Sequence, residues 1–241
     1  DMGLRADKHS HWGTEFSPSA SVSVPLRDGL TWRVAAARGI RPPSFTELYY
    51  TDPANTGSPE LDPEKAWGGE TGFDVSLPSG AKGVLTYFTR DTENLIDWVR
   101  RSEKEPWRAT NIGEATFQGV EARLDRAYPF LHGKAAYCYT DVDADSGGRA
   151  SKYALNIARH NVRVTLGWPE RRGFSGSVTA RYRDVPTLAK KYWLFSARLA
   201  QRMGHAMIFV QGRNLLDEKY EEIPGVPTAG RYVEAGIEME L

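Results

Sequence analysis

A single cysteine, Cys138, stands in 241 residues, so no disulfide can close within the chain. No apolar run approaches the roughly 18 residues that a membrane-crossing helix needs. Charge of one sign is not in excess either: 31 Lys and Arg balance 31 Asp and Glu. That balance argues against a nucleic-acid binder, which carries a basic surplus. Helical periodicity is nearly absent. The chain has no GxSxG, no paired cysteines, no HExxH and no P-loop, and its Ser, His and Asp residues show no triad spacing. No enzyme activity, resident metal or cofactor is therefore expected. The first residues do not read as an N-terminal targeting segment. The opening "DMGLRAD" already reads as a strand, so the chain is expected to be a piece of something longer.

What the sequence has is alternation. Residues 231–241 place Val233, Ala235, Ile237, Met239 and Leu241 on one face. Tyr232, Glu234, Gly236, Glu238 and Glu240 fall on the other. In "FSGSVTARYR", Phe174, Gly176, Val178, Ala180 and Tyr182 oppose Ser175, Ser177, Thr179, Arg181 and Arg183. In 191–202, Trp193, Phe195, Ala197 and Leu199 oppose Ser196, Arg198 and Arg202. The pattern predicts about twelve antiparallel strands: 2–7, 15–26, 30–38, 67–77, 81–90, 107–125, 133–142, 153–168, 174–183, 191–202, 206–213 and 231–241. For 81–90, Leu85 with Tyr87 and Val84 with Phe88 are both acceptable outward sets.

Tight turns such as "PLRDGL", "LPSGAK", "WPERRG" and "RMGH" take turns with long connections at 8–14, 39–66, 91–108, 143–152, 184–191 and 214–230. An up-and-down meander puts the two kinds at opposite ends. Phe174 and Tyr182 share a face eight residues apart. At about 3.3 Å per residue and a tilt near 40°, that is about 20 Å along a membrane normal. An outer-membrane barrel has an apolar band about 25 Å tall, edged by aromatic girdles. The apolar faces are therefore expected to meet lipid and the polar faces a lumen. Closure of a barrel would leave no open edge.

Several stretches resemble TonB-dependent outer-membrane receptors, most of all the cobalamin-receptor branch. "RGIRPPSFTELYY" followed by "SPELDPEKAW" resembles that family's long outer loop and strand re-entry. "DTENLIDWV", "NIGEATFQGVEARLD" and "GRNLLDEKYEEIPGVPTAGR" with a final strand follow in consistent order. The resemblance implies an all-β, antiparallel up-and-down transmembrane β-barrel portion, about 12 strands of a larger barrel of about 22. Residues 1–241 are then the C-terminal part of that barrel, with the plug domain and first strands outside this chain. The implied partners are TonB through that N-terminal region, the receptor's own plug, outer-membrane lipid, and a corrinoid or metal-chelate ligand. The implied place is the Gram-negative outer membrane. The implied activity is uptake of cobalamin, a ferric siderophore or a similar chelate by TonB-energised gating. The sequence departs from the family in ending on Leu241 rather than an aromatic. "IRPP" and "SPEL" stand where haem receptors tend to show FRAP and NPNL, with no histidine between them.

Tyr49, Tyr50, Trp98, Trp107 and Tyr220 fall in or beside predicted outer loops, where they would stack on a flat ligand, pack loop against loop, or form the outer aromatic girdle. Arg181, Arg183, Arg198 and Arg202, with Glu234, Glu238 and Glu240, fall on predicted inward faces. They would bind the plug or an anionic solute, or pair with one another across neighbouring strands. His9 and His11 in "DKHSHWG" are candidate metal or haem-iron ligands, set against the commoner solvated pair. "DVDADSGG" (141–148) lacks the spacing of a calcium loop and reads as a polar hairpin tip. The rival readings are a passive porin or adhesin barrel and an outer-membrane barrel enzyme. The length of 39–66 speaks against the first, and the lack of a nucleophile beside a base against the second.

Overall fold

The structure, a computed structural model, describes residues 1–239. The expected facing of Glu240 and Leu241 lies outside the described residues. The chain opens with β1 (Met2–His9), β2 (Gly13–Arg27) and β3 (Leu30–Arg41), then a one-turn helix α1 (Phe45–Tyr49). Two short strands follow, β4 (Thr51–Asp52) and β5 (Asn55–Thr56), before β6 (Glu64–Ser76) and β7 (Lys82–Glu93). Next come β8 (Ile96–Arg100), β9 (Trp107–Asn111), β10 (Ala115–Tyr128), β11 (Leu131–Ala144) and β12 (Ala150–Ser151). After them run β13 (His160–Arg171), β14 (Phe174–Val185), a 3-10 turn at Pro186–Leu188, β15 (Lys190–Met203) and β16 (Ala206–Arg213). The chain closes with β17 (Glu221–Ile223), β18 (Val226–Pro227) and β19 (Tyr232–Met239).

Twelve of these strands form one sheet in the order β1-β2-β3-β6-β7-β10-β11-β13-β14-β15-β16-β19. Apart from the short strands stepped over, this is chain order, as a meander requires. A second, five-stranded sheet, β12-β8-β9-β5-β4, is built wholly from the long connections. By packing, the chain divides into one unit of residues 1–73, 86–120 and 140–157 and another of 74–85, 121–139 and 158–241.

Three expectations need correcting. The strand expected over 107–125 is two strands, β9 and β10. Between them Gly113 takes φ +95°, a left-handed conformation that interrupts a run of extended residues. Its first part joins the small sheet, where Trp98 pairs with Ala109. The long connection expected over 91–108 contains a strand of its own, β8. The strand expected from 153 begins only at His160, because the chain at Lys152 and Tyr153 is still bonded to β8, the Lys152 amide donating to the Trp98 carbonyl and the Tyr153 amide to Asp97.

In the second unit, the alternation is realised as two chemically different faces. Leu166 pairs with Val178, Leu199 with Val210, Val210 with Ala235, and Ile208 with Ile237. This apolar row is exposed, Ile237 to 67% and Val210 to 48%. Tyr182 and Trp193 edge it, with ring centroids 5.1 Å apart. On the opposite face Thr165 and Thr179 share a 3.0 Å hydrogen bond, and Gln211 pairs with Glu234. The register therefore sets Val233, Ala235, Ile237 and Met239 against Glu234 and Glu238, as the pattern requires. In β7, Leu85 and Tyr87 are the exposed pair, which resolves the ambiguity of that strand.

In the first unit the buried side chains lie chiefly in the connections. Leu61, Ile96, Trp98, Trp107 and Ala109 make one cluster, with Leu48 against it. Leu95, Val99, Ile112, Ala115 and Phe117 make another, covered by Val142, Leu155 and Ile157. Long loops with a core of their own hold a fixed shape rather than trailing in solvent.

Candidate functional site

The small sheet exists because three connections distant in sequence are cross-bonded. Connection 39–66 is anchored at "RPPSFTE". Ser44 caps α1 by accepting from the Glu47 amide at 3.2 Å, and its own amide donates to the Glu47 carboxylate at 2.7 Å. Arg41 grips Glu64 with both arms of its guanidinium, at 2.8 and 2.7 Å, and reaches Glu47 at 3.1 Å. Glu64 also accepts from the Ile96 amide at 2.7 Å, which ties the base of this loop to β8. Asn111 donates to the Asp62 and Asn94 carbonyls and accepts from the Asp62 amide, joining the same loop to β9.

Connection 143–159 is held by Asp97, which is 2% exposed. Its carboxylate accepts from the Ser151 hydroxyl, from the Trp98 amide at 2.7 Å and from the Tyr153 amide at 3.1 Å. Burial pushes the Asp97 carboxyl up from its usual range against the pull of these donors. Lys152 completes the arrangement. Its ammonium donates to Asn55 Oδ1 at 2.8 Å and lies 5.3–5.9 Å from the rings of Tyr153, Trp107 and Trp98. One lysine thus touches groups from all three connections.

These elements frame an open concavity of about 590 Å³. Arg41, Glu47, Tyr50, Asn55, Trp98 and Lys152 are among its walls, with Arg90 and Tyr153 beside them. The Tyr50 hydroxyl donates to Asp52 at 2.8 Å and is the first cause holding that carboxyl below its usual range. The volume and the mix of aromatic, cationic and acidic walls suit a small-molecule ligand held by stacking and a few polar contacts.

The five aromatic candidates separate here. Tyr50 and Trp98 line the concavity, Tyr50 at 48% exposure and Trp98 at 7%. Tyr49 is exposed, its ring 6.1 Å from Phe45. Trp107 is buried in the apolar cluster, with Arg100 over its face at 4.3 Å, so it packs loop against loop rather than offering a ligand surface. Tyr220 belongs to the second unit, 4.7 Å from the Tyr192 ring. His9 stacks on Trp12 at 3.4 Å and accepts from the His11 amide. Among the described residues no group of three metal-ligating side chains comes together.

The polar face of the second unit is largely self-paired. Arg183 meets Glu222 at 3.0 Å, Arg198 meets Glu238 at 2.8 Å, and Arg202 meets Glu170 at 2.9 Å. Glu234 accepts from Gln211 and from the Tyr232 hydroxyl. Arg181 has no acidic partner within ion-pair distance among the described residues. Sequence reasoning missed Arg41, Asn55, Glu64, Asp97 and Lys152. Only Arg41 had a nearby signal, the S-x-x-E capping box three residues on.

The family described as "TonB dependent receptor-like, beta-barrel" matches residues 1–215. The vitamin B12 transporter BtuB of Photobacterium profundum is 27% identical over 146 residues, 58% of this chain and 23% of that protein. Its counterpart in Vibrio vulnificus is 25% identical over 121 residues, 50% of this chain and 19% of that protein. Among solved structures, the siderophore receptor PirA of Pseudomonas aeruginosa superposes with a TM-score of 0.72 at 21% identity, covering 98% of this chain and 42% of that one. At that identity the superposition speaks for the fold alone. The chain spans less than half the length of each of these relatives.

Proposed function

The chain belongs to the TonB-dependent receptor β-barrel family, whose members are outer-membrane transport receptors of Gram-negative bacteria, and we propose that it forms the C-terminal wall of one such receptor. In this reading the receptor captures a scarce chelate, either cobalamin or a ferric siderophore or a similar metal complex. It releases the ligand inward when TonB, engaged through a region outside this chain, moves a plug enclosed by the barrel. The work is binding and gating, with no covalent step. The apolar row of the second unit faces lipid, and the polar row, with Arg181, Arg183, Arg198, Arg202, Glu234 and Glu238, faces the lumen and plug.

The observation that carries the reading is the second sheet. A passive pore needs no buried core in its outer loops, yet here three connections share two apolar clusters and a buried carboxylate. That investment fixes the concavity before a ligand arrives, which limits the ordering cost of binding. Tyr50 and Tyr153 offer exposed ring area at its rim, while Lys152 and Arg90 offer positive charge. Glu47 and Glu64 are already engaged by Arg41. The BtuB relatives favour a corrinoid, and ferric siderophores enter the test beside it as the other chelates that the sequence resemblance implies.

The test is binding by the whole receptor in detergent, with cyanocobalamin and a panel of ferric siderophores as probes. One stacking aromatic is worth about 0.5–1.5 kcal/mol. Tyr50→Ala is therefore expected to weaken the bound probe by about 2–12-fold. An unchanged affinity in Tyr50→Ala and in Lys152→Gln would remove the concavity as the site.

A further inference from the structure

The paired charges of the second unit leave a remainder. Arg163 on β13 stands directly opposite Arg181 on β14, two guanidinium-bearing residues facing each other across adjacent strands. Like charges placed so are destabilising unless something neutral or negative comes between them. Arg213, at the end of β16, joins them around a concavity of about 490 Å³, whose other walls include Thr179, Ser196, Asn214 and Tyr232. The obvious internal partners are occupied: Glu222 holds Arg183, and Glu238 holds Arg198. Glu234 takes hydrogen bonds from Gln211 and Tyr232, and Arg213 and Arg198 are the cations close enough for it to feel, though beyond ion-pair distance. Among the described residues no carboxylate lies within ion-pair distance of Arg163, Arg181 or Arg213, although Arg183, Arg198 and Arg202 on the same face are each matched.

We propose that Arg163, Arg181 and Arg213 form an oxyanion site on the polar face of the sheet, taking one carboxylate or phosphate group between them. The guanidinium fork suits both groups, because two parallel N–H donors match two oxygens of a planar carboxylate or of a phosphate. Thr179 and Ser196, register partners on β14 and β15, stand along the same wall; the Ser196 hydroxyl can donate to a remaining oxygen, and the Thr179 hydroxyl can do so while it accepts from Thr165. Three cations around one concavity favour an anion over a neutral solute, whatever ligand the outer loops hold. The anion has two possible sources: a side-chain carboxylate of a receptor segment enclosed by the barrel, or a free phosphate-bearing solute.

The sign of one substitution tests the site. Arg163 is exposed, so Arg163→Gln removes its charge without opening a cavity. If the arginines merely repel, Arg163→Gln and Arg181→Gln relieve the repulsion and raise the heat-unfolding midpoint of the whole receptor, read by its mobility shift in detergent gels. If an oxyanion bridges them, each variant lowers the midpoint, by about 2–4 °C for a loss near one hydrogen-bonded ion pair. Inorganic phosphate, titrated at constant ionic strength against chloride, separates the sources. A midpoint that climbs with phosphate in the native receptor, and does not in the variants, assigns a free anion. Lowered midpoints in the variants with no phosphate response assign an internal carboxylate. Midpoints that rise or stay unchanged in both variants, with no phosphate response, overturn the site.

Discussion

Replacing Asp97 should loosen the loops of the small sheet while leaving the main sheet intact. Its carboxylate accepts from the Ser151 hydroxyl and the Trp98 and Tyr153 amides in a site only 2% exposed. Asp97→Ala orphans these donors. A buried unsatisfied donor costs about 1–3 kcal/mol, but the hydroxyl can rotate to another acceptor. Two stranded amides then give a local loss of about 2–6 kcal/mol. The loss should appear as a 30-fold or larger rise in amide exchange at Tyr153 and Trp98, a factor of ten for each 1.4 kcal/mol. Strands β13–β16 should exchange as before, since none of them bonds to Asp97. Asp97→Asn keeps one acceptor and should fall between. The pH dependence has a definite sign. Burial raises the carboxyl in the folded loop, so between the ordinary Asp value near 3.9 and the raised one the folded state holds more protons. Loop protection should therefore fall as pH rises through the raised value and stay flat in Asp97→Asn. Unchanged exchange at Tyr153 in Asp97→Ala would refute the claim that this carboxylate fixes the loop.

Ile237→Arg puts a charge in the exposed apolar row two residues from the tight-turn end of β19, where the cost falls below the about 2–4 kcal/mol of a lipid midplane, and should impair assembly in outer membranes. Glu238→Gln, one residue on, loses only a half-exposed pair with Arg198 and should assemble normally; gel mobility of membrane fractions reads both, and equal assembly would reverse the facing. Arg41→Gln leaves Glu47 and Glu64 without their shared cation, and Arg41 is 45% exposed, so a loss of about 1–2 kcal/mol is expected. Limited proteolysis should then cut near residues 42–50 several-fold faster, with the main sheet resistant.

The main sheet was legible because its physics is local. A strand with lipid on one side and polar contacts on the other must alternate, and β14, β15 and β19 alternate in the residues themselves. The second sheet was not legible, because its strands are short and its partners remote. Asp97 meets Ser151 across 54 residues, and Lys152 meets Asn55 across 97. Nothing in "DWV" or "SKY" announces a buried carboxylate or a lysine among three rings. The run 107–125 misled for a related reason: both halves are extended, and only Gly113 marks the change of sheet. Parity puts Arg181, Arg183, Arg198 and Arg202 on one polar face, but parity cannot show that Arg183, Arg198 and Arg202 each have an acidic partner while, among the described residues, Arg181 has none within ion-pair distance.

The most direct measurement of the central claim is ligand uptake by cells lacking the native receptor and carrying the complete receptor to which this chain belongs. Labelled cyanocobalamin and ferric siderophores would be offered with TonB present and with TonB deleted. The account predicts accumulation of at least one chelate that requires TonB and that falls when Tyr50 and Lys152 are both replaced. Accumulation that continues without TonB, or that ignores the paired substitution, would contradict it.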